Sequence, residues 1–90
     1  MKRMHLIVHG KVQGVFYREH VRKAAQKAAI KGFVRNLRDG TVEVVAEASE
    51  EKLAELLKEC RKGSFMSRVD KIDEQHEDAT GEFEEFLVEF

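Results

Sequence analysis

A two-layer α+β sandwich, one small sheet covered by two helices, is the fold this sequence predicts, on three observations. Apolar residues switch between strand and helix periodicity in the order strand, helix, strand, strand, helix, strand, with one further alternating run at the end. Asp39-Gly40 stands between two strand-like runs, and that dipeptide is the strongest short hairpin signal. No proline-rich linker, internal repeat or low-complexity tract interrupts the 90 residues, so the chain reads as a single domain over residues 1–90 with one core.

The first element is a short apolar strand over Met4 to His9. A helix follows over Glu19 to Ile30, because Val21, Ala24, Ala25, Ala28 and Ala29 recur at helical spacing, and Gly32 supplies its stop signal. Next come a strand over Gly32 to Leu37, the turn Arg38-Asp39-Gly40 and a strand over Thr41 to Ala48. Both Asp and Gly tolerate the positive φ of a type I′ turn. The second of these strands places Val42, Val44, Ala46 and Ala48 on one face and Thr41, Glu43 and Glu47 on the other.

Ser49 is placed to cap a second helix, with Glu50 and Glu51 in its first turn, and Leu53, Leu56, Leu57 and Cys60 form its apolar stripe up to Gly63. Beyond Gly63, Val69 and Ile72 mark a strand whose broken alternation is consistent with a bulge, Asp78 to Gly81 mark a turn, and Phe86, Val88 and Phe90 alternate as a last strand. Glu82, Glu84 and Glu85 read as a solvated strand edge. The order β-α-β-β-α-β plus a short terminal strand fits a ferredoxin-like sandwich, with two helices on one face of a largely antiparallel sheet.

Composition narrows the function classes. The longest apolar stretch near the N-terminus, Leu6 to Val8, is far too short to span a bilayer and is bracketed by His5 and His9, so neither a membrane anchor nor a signal-peptide core is expected. One cysteine, on an apolar helix face, reads as buried packing, and the cytoplasm is the expected compartment. Net charge is only −1, yet residues 1–38 hold ten Lys and Arg against one acidic residue, while residues 70–90 hold nine Asp and Glu against one Lys. The basic half favours an anionic ligand. Arg22, Lys23, Lys27 and Lys31 are set apart from it as the wet face of the first helix.

Within the basic half, Val12-Gln13-Gly14-Val15-Phe16-Tyr17-Arg18 joins a strand to a helix. The first N–H groups of a helix lack internal partners and lie at the positive end of its dipole, so an anion held there meets several donors. Gly10 and Gly14 let the chain curl closely, and Arg18 adds a planar cationic fork suited to phosphate oxygens. Neither the GxxxxGK[ST] nor the GxGxxG pattern is present, so no standard nucleotide loop is implied. On spacing alone, a tight strand-to-helix turn with a solvated arginine is the favoured reading over an anion cradle.

The residues resemble a known family, the acylphosphatases, small enzymes that hydrolyse the carboxyl-phosphate bond. Gly10-Lys11-Val12-Gln13-Gly14-Val15-Phe16-Tyr17-Arg18 is similar to one family motif, and Lys31 to Leu37 with Asp39 to Val44 is similar to a second, at the right separation. The resemblance implies that Arg18 binds the phosphoryl group, that Asn36 positions the attacking water, and that Gly10, Lys11, Val12, Gln13, Gly14, Val15 and Phe16 form the backbone cradle. It implies no cofactor and no metal, a small acyl phosphate as substrate, and a monomer. Three positions depart from the pattern: Tyr17 stands where phenylalanine is usual, Phe33 where tryptophan is common, and Gly63-Ser64 where Gly-Pro is frequent. None of these is expected to touch the site.

Asn36, the only asparagine, would ordinarily read as a turn residue before a hairpin. Its strand is expected to lie beside the first strand, within reach of the glycine loop. Two other classes were weighed. Lys31 to Val34 echoes an RNA-recognition strand, but Arg35, Asn36 and Leu37 follow where further stacking aromatics are needed, so no nucleic acid partner is expected. A ligand-binding regulatory module would not need Arg18 and Asn36 together. The four histidines, His5, His9, His20 and His76, lack metal-ligand spacing.

Overall fold

The computed structural model describes all 90 residues, Met1–Phe90. Its elements are β1 (Lys2–Lys11), α1 (Tyr17–Lys27), β2 (Lys31–Asn36), β3 (Val42–Ala48), α2 (Glu50–Lys62), β4 (Arg68–Asp78) and β5 (Phe86–Glu89). One sheet of order β4-β1-β3-β2-β5 results, antiparallel except for the β2–β5 edge pair. Met4, Leu6 and Val8 of β1, Val34 of β2 and Val42, Val44 and Ala46 of β3 share one core with Val21 and Ala25 of α1 and Leu53, Leu56 and Cys60 of α2. The fold is the predicted ferredoxin-like sandwich.

The hairpin decides the strand order. β3 must lie next to β2, and it takes the place beside β1, with Leu6 opposite Val44 and Val8 opposite Val42. The strand carrying Asn36 is therefore separated from β1 by β3 and does not adjoin it as expected. The connection itself is a three-residue loop rather than a type I′ turn. Leu37 N–H bonds the Thr41 carbonyl at 2.9 Å, and only Gly40 has positive φ, at 92°. Asp39 instead accepts from the Thr41 N–H at 3.0 Å and hydroxyl at 2.5 Å, which turns the chain with its side chain and spares it a left-handed backbone.

α1 ends earlier than expected. Ala29 sits at φ 56°, with its N–H on the Gln26 carbonyl at 3.1 Å and Ile30 N–H on the Ala25 carbonyl at 2.9 Å, the two bonds of a Schellman stop. Ala29 is thereby turned out of the apolar stripe and is exposed, and Lys31 opens β2 instead of closing the helix. Gly32 lies inside β2, where a Cβ would collide with the Val45 carbonyl.

β4 is an edge strand, and its weak alternation has a geometric cause. The β1–β4 register shifts between His9 and Gly10, leaving Asp70 without an opposite residue, so Val69 and Ile72, three apart, share the partly buried face. Glu47, expected on the wet side of β3, is only 3% exposed, because residues 80–82 fold over it. Burial pushes its carboxyl up, but the Thr80 N–H, Arg3 and the Gly81 N–H together hold it below the usual carboxylate range. Glu82, Glu84 and Glu85 precede β5 instead of lying along it, and Glu82 pairs with Arg3.

Candidate active site

The segment between β1 and α1 is short, and three side-chain contacts hold it. Gln13 Nε2 donates to the Leu37 carbonyl at 2.7 Å and to the Thr41 carbonyl at 2.8 Å, which fixes the loop to the base of the β2–β3 hairpin. Ser64 Oγ donates to the Val15 carbonyl at 2.7 Å, which fixes its other side to the end of α2. Val12 and Val15 are buried in the core. The departure at Gly63-Ser64 thus does touch the loop, contrary to expectation, because a serine supplies a donor that the proline of the usual pattern lacks.

Gly10 and Lys11 belong to β1 rather than to the free loop. Gly10 has φ 135° and faces the Arg68 carbonyl so closely that a Cβ would collide with it, so this glycine serves the bulge against β4. Gly14, at φ 72° with open space around it, is the loop's own turning residue. Phe16 follows at φ 62°, the residue at which α1 begins, and no side chain caps the helix. The amides of the first turn therefore remain without intramolecular side-chain partners.

Arg18, in the first turn of α1, makes no salt bridge. One of its nitrogens donates to the Glu89 carbonyl at 3.3 Å, and its guanidinium lies over the Phe90 ring, 4.9 Å from the centroid. The end of β5 thus supports the arginine from one side and leaves the rest of its fork free. Lys2 pairs with Asp78 at 2.9 Å and Arg3 and Arg35 pair with Glu82 and Glu89 of the acidic tail, whereas Arg18 is the unpaired cation that lies in the cleft beside the loop. Together Val12, Gly14, Phe16, Tyr17, Arg18, Glu19, Val88 and Phe90 line a cleft of about 290 Å³.

Asn36 is placed near the end of β5, not beside β1 as expected. Gly32, Val34 and Asn36 alternate on the helix-covered side of β2. The parallel register pairs Val34 with Val88 and Arg35 with Glu89, so one further position sets Asn36 level with Phe90, whose ring carries Arg18. Asn36 does not line the cleft, but its Oδ1 is buried without any hydrogen-bond partner, the only such side-chain atom in the chain. A buried acceptor left unpaired is costly and calls for a partner.

Behind the loop, Tyr17 is buried and donates its hydroxyl to the Cys60 carbonyl at 2.7 Å. Burial, with the Cys60 contact adding to it, raises the phenol far above its usual range, and burial pushes the Cys60 thiol up to about 12, so neither group ionises near neutrality. The histidines are taken up by local contacts: His5 on Glu43 at 2.7 Å, His9 on Asp73 at 2.8 Å, His20 on the Glu59 carbonyl at 2.9 Å and His76 on Glu74 at 3.2 Å. Sequence reasoning missed Ser64 and the supporting end of β5. The one available signal was that Phe90 keeps the phase of Phe86 and Val88.

Comparison with known proteins agrees with this architecture. The acylphosphatase family model matches residues 4–88. An acylphosphatase of Methylococcus capsulatus is 47% identical over 88 residues, covering 98% of this chain and 96% of its own, and one from Syntrophus aciditrophicus is 46% identical over 88 residues, covering 98% and 92%. The crystal structure of acylphosphatase from Bacillus subtilis superposes with a TM-score of 0.96 at 32% identity, covering both chains fully. A chain matched by the family model over nearly its whole length, with relatives this similar end to end, belongs to the acylphosphatase family.

Proposed function

We propose that this protein hydrolyses the carboxyl-phosphate bond of small acyl phosphates, with Arg18 and the Val12 to Phe16 backbone holding the phosphoryl group and Asn36 orienting the attacking water. The observation that carries the reading is the orphaned Asn36 Oδ1, level with the ring that supports Arg18. An amide suits that role because it accepts from a water, or donates to it, without changing charge. The uncapped first turn of α1 and the free donors of Arg18 supply a preorganised field for the equatorial phosphoryl oxygens.

The leaving group is a carboxylate, so no strong general acid is needed, and the proton of the attacking water passes to a phosphoryl oxygen. No side chain with a pKa drawn toward neutrality is required for this step. The reading is of a monomer acting without a cofactor. It places the enzyme in the cytoplasm, and no helix of the chain is long and apolar enough to cross a membrane.

Phosphate release from benzoyl phosphate by wild type, Arg18→Ala and Asn36→Ala tests the reading, with circular dichroism as the check of folding. Arg18→Ala should lower turnover by ~10³-fold or more and weaken inhibition by inorganic phosphate. Asn36→Ala should lower turnover by ~10²- to 10³-fold and leave phosphate inhibition nearly unchanged, as for an interaction made mainly in the transition state. Parallel loss of turnover and phosphate affinity in Asn36→Ala would rule out the water-orienting role.

A further inference from the structure

The rim of the cleft carries two exposed aromatic rings, Phe90 beneath Arg18 and Phe16 outside the core. Phe16 is 81% exposed and Phe90 is fully exposed, yet both line the cleft that holds Arg18. Neither ring is buried in the core, so neither gains much from folding. Phe16 moreover stands at φ 62°, a backbone region that disfavours a bulky L-residue, at the position where a small polar cap would ordinarily begin a helix. A strained, exposed aromatic at that point holds its ring at the mouth of the site.

We infer that Phe16 forms an acyl-group subsite, with Phe90 bounding the same cleft beneath Arg18, selecting substrates whose acyl part is a small apolar or aromatic group. This inference rests on the hydrolase reading above. In-line displacement puts the leaving acyl group on the side of the phosphorus opposite the water. With the water at Asn36, level with Phe90, the acyl group points across the cleft, toward the exposed ring of Phe16. The cleft's apolar side chains, Val12, Phe16, Val88 and Phe90, offer cover to a ring but only Arg18 as a charged donor. Glu19, also on the rim, is held ionised below its usual range by Arg22, and so opposes an acyl group bearing a second carboxylate. A volume of about 290 Å³ suits a single ring rather than a long chain.

The test compares kcat/KM for benzoyl phosphate and acetyl phosphate in wild type, Phe16→Gly and Phe16→Leu. Glycine adopts φ 62° without strain, so Phe16→Gly removes the ring and keeps the loop, and leucine keeps apolar bulk without a ring. The expected result is that the benzoyl-to-acetyl ratio falls about tenfold in Phe16→Gly, mainly through KM for benzoyl phosphate, and falls less in Phe16→Leu. An unchanged ratio, whether activity is kept or lost equally on both substrates, overturns the subsite. Wild type hydrolysing neither compound overturns the hydrolase reading itself and the subsite with it, an outcome distinct from an unchanged ratio.

Discussion

The two helices begin in opposite ways. At α2, Ser49 takes an extended backbone and its hydroxyl accepts the Lys52 N–H at 3.3 Å, with Glu50 and Glu51 in the first turn to complement the dipole. At α1, Phe16 takes a left-handed backbone, offers no side-chain acceptor, and is followed two residues later by Arg18, a cation at the positive end of a dipole. By the rules that govern isolated helices, α1 is poorly started, with no cap and with a like charge offset only by Glu19, which Arg22 already pairs. On the proposed reading both faults vanish once an anion occupies the site, because its oxygens supply the missing acceptors and neutralise the arginine. α2 is finished by its own sequence; α1, on the proposed reading, is left for a ligand to finish.

That contrast can be broken most severely at Arg18. Arg18→Lys keeps the charge but replaces a planar fork, steadied by the Glu89 carbonyl and the Phe90 ring, with a mobile point charge. Turnover on benzoyl phosphate should fall by ~10²-fold, while thermal stability stays within about 0.5 kcal/mol, since no salt bridge is lost. A lysine variant with near wild-type turnover would show that charge alone suffices and that the end of β5 plays no supporting part.

Tyr17→Phe probes the tie between the two helices. The hydroxyl lost is the donor to the Cys60 carbonyl in the last turn of α2, and both partners are buried. Removing it leaves a buried acceptor unpaired, for about 1–3 kcal/mol of stability in chemical denaturation. Activity at a temperature where the variant is folded should change little. A large loss of turnover would mean that the tie also sets the position of Arg18.

Ser49→Ala is the matching experiment at the well-formed helix start. It removes a single cap bond, which typically contributes ~1 kcal/mol, and should leave kinetic constants untouched because α2 begins at the far side of the sheet from β5. The comparison would fail if this variant lost activity as well, for then the two helix starts would not be divided between folding and function.

The same division explains what could be read in advance. α2 was legible end to end because Ser49, the Leu53-Leu56-Leu57-Cys60 stripe and Gly63 obey local rules. The loop and Arg18 were legible as a motif, since backbone curvature and a cation leave compact sequence marks. What stayed hidden depends on pairing between distant residues: β3 lying between β1 and β2, the bulge at Asp70, and the burial of Glu47 under residues 80–82. Ser64 was passed over for the same reason, because its bond to Val15 spans 49 positions. Asn36 lies beside β5 and not beside β1, because the β2–β5 register is a pairing over more than fifty positions that leaves no local mark.

The smallest expected effect lies at the other end of α1. Its stop places Ala29, not a glycine, at φ 56°, whereas α2 stops at Gly63 with φ 71°. A left-handed alanine is strained by about 1–2 kcal/mol relative to its preferred backbone. Ala29→Gly relieves that strain but frees the unfolded chain, which returns roughly 0.4–1 kcal/mol to the unfolded state. Ala29 is exposed and takes no part in the core, so no packing term intervenes. The difference leaves a gain of about 0.5–1 kcal/mol, readable as a higher denaturation midpoint at unchanged slope. Loss of stability instead would mean that the alanine methyl makes a contact outweighing its strain, and the two helix stops would then be equivalent in energy although they differ in sequence.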